Sequence, residues 1–84
     1  MSAQAAARKL MELAHAVEPV QDGRIYIEKV NWPFLSHPAI LGTPSEYKAG
    51  LEFAISKGWL WLHESGTYVK IIETGAVAFA GSQN

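Results

Sequence analysis

Apolar positions near the start of the chain repeat with the period of a helix. They lie three or four residues apart and therefore share one helical face: Ala6, Leu10, Leu13, Ala14 and Val17. Ser2 is placed to cap the first turn, and Pro19 disfavours a helical conformation at Glu18. The pattern predicts a first helix from Ala3 to Val17.

Residues 21–37 contain a turn, an alternating segment and one proline. After a turn at residues 21–23, polar and β-favouring residues alternate from Arg24 to Glu28, which predicts a short, half-buried strand. A proline inside a helix removes a backbone hydrogen bond, whereas a proline in the first turn does not. We therefore expect a short second helix that begins near Asn31 or Trp32, with Pro33 in its first turn.

A capping sequence marks the start of a third helix. In Thr43-Pro44-Ser45-Glu46 a hydroxyl stands at the N-cap, a proline at the first helical position and a glutamate at the third. This helix is predicted to run to Lys57 and to leave through Gly58 in a left-handed conformation. Gly50 lies on its inner face, where it would let another helix approach closely.

Two alternating segments around Ser65-Gly66 predict a β-hairpin. With these two residues as the turn, Leu62 opposes Val69 and Leu60 opposes Ile71 on one face, whereas Trp61 opposes Lys70 on the other. This register places the aliphatic side chains together, which a one-residue slip would not do. A short helix from Ala76 to Ala80 follows, and residues 1–2 and 81–84 are expected to fray.

The order of these elements resembles the winged-helix family, a helix-turn-helix followed by a β-hairpin wing. The resemblance rests on the capped helix that passes through Ala54-Ile55-Ser56-Lys57-Gly58-Trp59-Leu60 into a strand, and on Tyr68-Val69-Lys70-Ile71-Ile72-Glu73-Thr74-Gly75 as its return. Small bacterial winged-helix proteins without an assigned role show a similar hairpin. The resemblance implies an α+β fold over residues 1–84, with a three-helix core, a short strand and a C-terminal wing.

DNA binding of the transcription-regulator type is the function that this resemblance implies. In the family the third helix typically enters the major groove and the wing touches the DNA backbone or minor groove. The matching positions on the helix are Ser45, Lys48, Ala49 and Glu52, with Arg24 and Lys70 directed to phosphates. Such a helix ordinarily supplies several cations, but here Lys48 alone does so, and the net charge of the chain is -1. Double-stranded DNA would therefore be bound weakly at physiological salt.

The alternative is a module that associates with another protein or with itself. Trp61, His63 and Tyr68 alternate with the inward positions of the hairpin, so their rings are expected on its outer face. Trp32 and Phe53 are expected to extend this patch. The competing interpretation for Trp59 and Trp32 is that both complete the small core. For Trp61 the competing interpretation is that its ring is buried in the core, or that it only packs over Lys70 on the opposite strand.

Composition narrows the remaining possibilities. The 84 residues include no cysteine, which excludes disulfides, thiolate zinc sites and a cysteine nucleophile, and the three histidines lie in separate elements. No catalytic or phosphate-binding motif occurs, so we expect no enzymatic activity, no metal and no cofactor. Apolar runs are too short for a membrane span, and no secretory signal is recognisable. We therefore expect a cytoplasmic protein without membrane contact.

Overall fold

Helices contribute most of the buried hydrophobic side chains in the part of the chain that the structure describes. A computed structural model describes residues 1–72, apart from the side chain of Gln21. Over this range the order is α1 (Ala3–Ala16), a 3-10 turn (Gln21–Gly23), β1 (Ile25–Tyr26), α2 (Glu28–Ser36), α3 (Pro44–Ser56), β2 (Leu60–Leu62) and β3 (Tyr68–Ile71). These elements make an α+β fold. The helix predicted from Ala76 to Ala80 and the fraying predicted for residues 81–84 lie outside the described residues.

Helix α1 confirms the prediction made from its apolar period. The Ser2 hydroxyl accepts a hydrogen bond from the Ala5 amide at 3.1 Å, as an N-cap does. Val17 is extended and ends the helix one residue earlier than predicted. The buried face includes the predicted Ala6, Leu10 and Ala14, together with Ala7 and Met11.

Helix α2 begins earlier than predicted, and the prediction of a start near Asn31 or Trp32 is wrong. The Ile27 carbonyl accepts hydrogen bonds from the amides of both Val30 and Asn31, so a helical turn is complete before Pro33. Pro33 is consequently in the interior of the helix. Burial of Val30 and Phe34 against the core compensates for the hydrogen bond that this proline cannot make. The early start also shortens the strand predicted from Arg24 to Glu28 to Ile25–Tyr26.

Helix α3 confirms both the predicted cap and the predicted close approach. The Glu46 amide donates to the Thr43 hydroxyl at 3.1 Å, and the Thr43 amide donates to the Glu46 carboxylate at 2.9 Å. Gly50 lies directly against α1, where an added Cβ would stand 2.7 Å from Cβ of Ala6. Gly58 leaves the helix with a φ of 73°.

The sheet has the strand order β1-β3-β2 and is antiparallel throughout the described residues. The predicted hairpin register is confirmed: Leu60 pairs with Ile71, Trp61 with Lys70 and Leu62 with Val69. The turn differs from the predicted two-residue loop, because the Gly66 amide donates to the His63 carbonyl and the strands stop at Leu62 and Tyr68. A left-handed φ of 75° at Gly66 brings the chain back into β3.

One core lies between the helices and the inner face of the sheet. Its largest fully buried side chains come from every layer: Phe34, Leu10, Met11, Leu60, Val30 and Val69. Tyr47 packs its ring edge against Phe34 at a centroid distance of 5.7 Å, and burial raises the pKa of Tyr47 to about 12. Trp59 contributes to the core from its edge. Trp32 does not, since 72% of its surface is exposed, and its predicted place in the core is wrong.

Candidate interaction surface

The outer surface of the sheet gathers aromatic and cationic side chains. Alternation along β3 turns Val69 inward and leaves Tyr68 and Lys70 on the opposite side. We call this outer surface the sheet face, and its members are Arg24, Tyr26, Trp61, His63, Tyr68 and Lys70. The cation and ring contacts among them show that these six side chains form one cluster.

Tyr68 stands at the centre of the sheet face because β3 is the central strand. The His63 ring stacks on it at a centroid distance of 4.5 Å and an interplanar angle of 18°. The guanidinium of Arg24, which precedes β1 on the other side of β3, lies 4.9 Å from the ring centroid. Tyr26 meets Tyr68 edge to face at 6.5 Å. Neighbours from both flanking segments therefore fix the Tyr68 ring.

Trp61 forms the exposed edge of the cluster on β2. Its indole meets the rings of His63 and Tyr68 edge to face, at 5.7 Å and 6.1 Å. The ammonium group of Lys70 lies 5.9 Å from the indole centroid, at cation–π distance. Trp61 nevertheless keeps 44% of its surface exposed, and Tyr26 keeps 42%. Large aromatic surfaces are thus held in fixed positions while facing solvent.

Hydrogen bonds in the hairpin turn hold His63 in its stacked position. Its Nδ1 accepts from the Ser65 amide at 3.1 Å and lies 2.8 Å from the Ser65 hydroxyl. The Ser65 hydroxyl in turn lies 2.8 Å from the hydroxyl of Thr67. With Nδ1 as the acceptor from a backbone amide, the neutral ring carries its proton on Nε2.

A shallow depression continues the sheet face toward the hairpin turn. It has a volume of about 380 Å³ and is mainly apolar, and its lining residues are Tyr26, Ile27, Glu28, Gly66 and Thr67. Tyr26 belongs to both the depression and the sheet face. The two features therefore form one continuous surface.

The outward side of α3 is different in character. Ser45, Lys48 and Glu52 are exposed, and Ala49 is half-buried. Lys48 is the single cation among the predicted DNA-reading residues of α3. Glu52 lies one helical turn away, so this cation has an acidic neighbour. At the helix start, the N-terminal ammonium group of Met1 pairs with Glu46, and this contact and the Thr43 amide lower the Glu46 pKa.

The structure brings together only part of each predicted site. Trp61, His63 and Tyr68 share one surface, as predicted. Phe53 packs against Trp59 and beneath Lys57 instead, and Trp32 lies on α2, outside the sheet face. Arg24 and Lys70, predicted to contact phosphates, lie over aromatic rings of that same surface. Tyr26 was not among the predicted site residues. The sequence did contain a signal for it, because Tyr26 is two residues from Arg24 in the predicted strand and therefore shares its face.

Residues 1–72 contain neither a cluster of metal ligands nor a membrane-spanning helix. Within them no three His, Cys, Asp or Glu side chains lie together in a group that could hold a metal ion. The same residues contain no helix with the length and apolar character needed to cross a membrane.

Comparisons with known proteins identify no relative of this chain. No family model matches the chain, and neither the curated proteins nor the solved structures include a significant match.

Proposed function

We propose that this protein is an interaction module that binds another protein through the sheet face. The observation that carries the proposal is the exposure of Trp61 and Tyr26 within a fixed cluster of rings. Tyrosine and tryptophan dominate the binding energy of many protein interfaces, because they bury a large area at a low cost in conformational entropy. Rings that already hold one another lose still less freedom when a partner covers them.

The same geometry is less suited to stacking nucleic-acid bases. Base stacking needs an open ring face, and the Tyr68 ring is contacted by His63 and by Arg24 from opposite sides of β3. These contacts favour a protein partner that covers ring edges and the indole of Trp61.

Two exposed tryptophans allow a matched test of this proposal. The protein is used as bait in an extract of its source cells, alongside the variants Trp61→Ser and Trp32→Ser. Trp32 is even more exposed than Trp61 but lies on α2, outside the sheet face. We expect Trp61→Ser to lose the bound partner and Trp32→Ser to keep it. Equal capture by both variants, each checked to be folded by circular dichroism, would reject the sheet face.

A second copy of the chain is the simplest protein partner. Sedimentation velocity over a wide concentration range measures this directly. A monomer at every concentration removes the self-association version and leaves binding to a different protein. Association that disappears in Trp61→Ser but persists in Trp32→Ser supports it.

DNA binding is the second candidate, and the order of the elements supports it. Three helices followed by a hairpin are the arrangement of a winged-helix domain, in which α3 would be the reading helix. Ser45, Lys48, Ala49 and Glu52 would then face the major groove. Titration with mixed duplex DNA at low salt tests this candidate. If Lys48→Ala leaves the binding and its salt dependence unchanged, α3 is not the docking helix.

A further inference from the structure

The two ends of the sheet face differ in charge, because its cationic side chains are not spread evenly along the strands. Continuing the strand register places Arg24, Lys70 and Trp61 in one row across the sheet. Tyr26, Tyr68 and His63 form the next row, since the His63 amide donates to the Tyr68 carbonyl. Both cations therefore stand in the first row, and the second row is aromatic.

Beyond the second row, the surface changes to an apolar depression with acidic neighbours. Ile27 and Thr67 line the depression and are the residues next to Tyr26 and Tyr68 of the second row. Glu28 also lines it, and Glu64 lies in the adjacent turn. Cations at one end and carboxylates at the other give the surface an electrostatic polarity.

We infer that the sheet face binds an extended acidic peptide segment of a partner protein, with an aliphatic side chain seated in the depression. This inference rests on the proposed protein-binding function and names the chemistry of the partner. An acidic side chain over the first row would meet Arg24 and Lys70. A neutral aliphatic side chain suits the apolar depression, because Glu28 would repel an acidic one.

The spacing of the two subsites sets the spacing of the motif. Side chains on one face of an extended chain are two residues, or about 7 Å, apart, so successive rows of the sheet face match alternate residues of a bound extended segment. An acidic residue at position i over the first row therefore places residue i+2 over the second row and an aliphatic residue at position i+4 over the depression. The aromatic second row would be covered by the residues between them.

Short capped peptides test this inference directly on the full chain. The probe is N-acetyl-Ser-Glu-Ser-Gly-Ser-Leu-Ser-amide, with one comparison peptide in which Lys replaces Glu and another in which Ser replaces Leu. Binding is followed by the NMR signals of the Trp61 indole and of the Tyr26 and Thr67 amides. The indoles of Trp32 and Trp59 serve as internal references. We expect the probe to shift the first set, and each replacement to weaken binding about tenfold, equivalent to about 1.4 kcal/mol.

Protein variants locate the acidic subsite. Arg24→Gln and Lys70→Gln should each weaken binding of the probe several-fold and reduce its salt dependence. Lys48→Gln removes an equal charge from α3 and should leave the affinity unchanged. If Lys48→Gln weakens binding as much as the other two, the attraction comes from net charge alone and the assigned subsite is wrong.

Other outcomes would overturn the inference in distinguishable ways. Equal binding of the three peptides, or binding of none, excludes the acidic–aliphatic motif, whereas capture that depends on Trp61 would still support a protein partner of different chemistry. Tighter binding of oligodeoxythymidine at the same signals would assign the surface to single-stranded nucleic acid. A Trp61 indole signal that moves on dilution without any peptide would assign it to a second copy of the chain.

Discussion

The contact between α1 and α3 and the sheet face use opposite kinds of side chain. At the helix contact the residues are among the smallest available, and all of them are buried: Ala6, Ala7, Gly50 and Ala54. On the sheet face, by contrast, Trp61 and Tyr26 are among the largest and keep more than two fifths of their surface exposed. A chain of this length has little apolar area to spare, so leaving such rings in water forgoes stabilisation that burial would have provided.

This contrast assigns stability and binding to different residues of the chain. The helices reach close packing through residues that almost lack side chains, and the core is completed by Phe34, Leu10 and Leu60. The aromatic residues outside this core remain free to contact a partner. Changes at the helix contact should therefore destabilise the chain, and changes on the sheet face should leave it folded but unable to bind.

Phe34→Ala should have the largest effect on stability. Phe34 is fully buried and meets the Tyr47 ring, so its removal leaves a large cavity and should cost about 3–5 kcal/mol. Trp32→Ala, on the same helix and 72% exposed, should change stability by less than about 1 kcal/mol. Urea unfolding measures both variants. A similar loss in the two would mean that α2 is not oriented as described.

Gly50→Ala should come next, with a net loss of about 1–2 kcal/mol. The added Cβ would stand 2.8 Å from the carbonyl carbon of Ala6 and 2.9 Å from the amide nitrogen of Ala7, and backbone atoms cannot rotate aside. Helix propensity alone favours alanine by about 1 kcal/mol, so the close contact predicts the opposite sign. Glu52→Ala, exposed on the same helix, is the control. A stabilised Gly50→Ala protein would show that the helices are farther apart.

Thr43→Ala should cost about 1 kcal/mol, because it removes the hydroxyl that caps α3. Ser2→Ala removes the corresponding cap from α1 and should cost a similar amount. Thermal unfolding compares the two variants with the unchanged chain. A negligible effect of Thr43→Ala alone would indicate that Pro44 and Glu46 suffice to start the helix.

Glu46 should give the stability a measurable dependence on acid pH. Its pKa in the folded chain is lowered from 4.5 by the N-terminal ammonium group of Met1 and by the Thr43 amide. The stabilisation is therefore present above pH 4.5 and is lost as the pH falls through the lower, folded-state pKa. Glu46→Gln should flatten this dependence in urea unfolding measured between pH 6 and pH 2. An unchanged pH profile would contradict the contribution of Glu46.

Trp61→Ser should have the smallest effect on stability, below about 1 kcal/mol, because the side chain is already 44% exposed. The same substitution should abolish partner capture, which makes it the clearest separation of the two regions. Tyr26→Ser should behave in the same way. A Trp61→Ser protein that unfolds would place this side chain in the core and remove the distinction between core and sheet face.

Local signals in the sequence were sufficient for α1, α3 and the hairpin register. Caps at Ser2 and Thr43 act within three residues, and the alternation around Ser65-Gly66 places the aliphatic residues on one face. They were insufficient for α2, where Pro33 favoured a later start than the Ile27 carbonyl permits. Of the predicted interaction residues, Trp61, His63 and Tyr68 come together, whereas Phe53 packs elsewhere.

The sequence by itself determined where α1 and α3 begin and which hairpin residues share a face, because these features depend on hydrogen bonds and side-chain periods within a few residues. The tertiary structure alone decided that β1 joins the sheet beside β3. This pairing brings Arg24 and Tyr26 to Tyr68, more than 40 residues away. The orientation of α2 likewise leaves Trp32 outside the core. Such contacts depend on how the elements pack against one another, so a pattern within a few residues of the sequence cannot predict them.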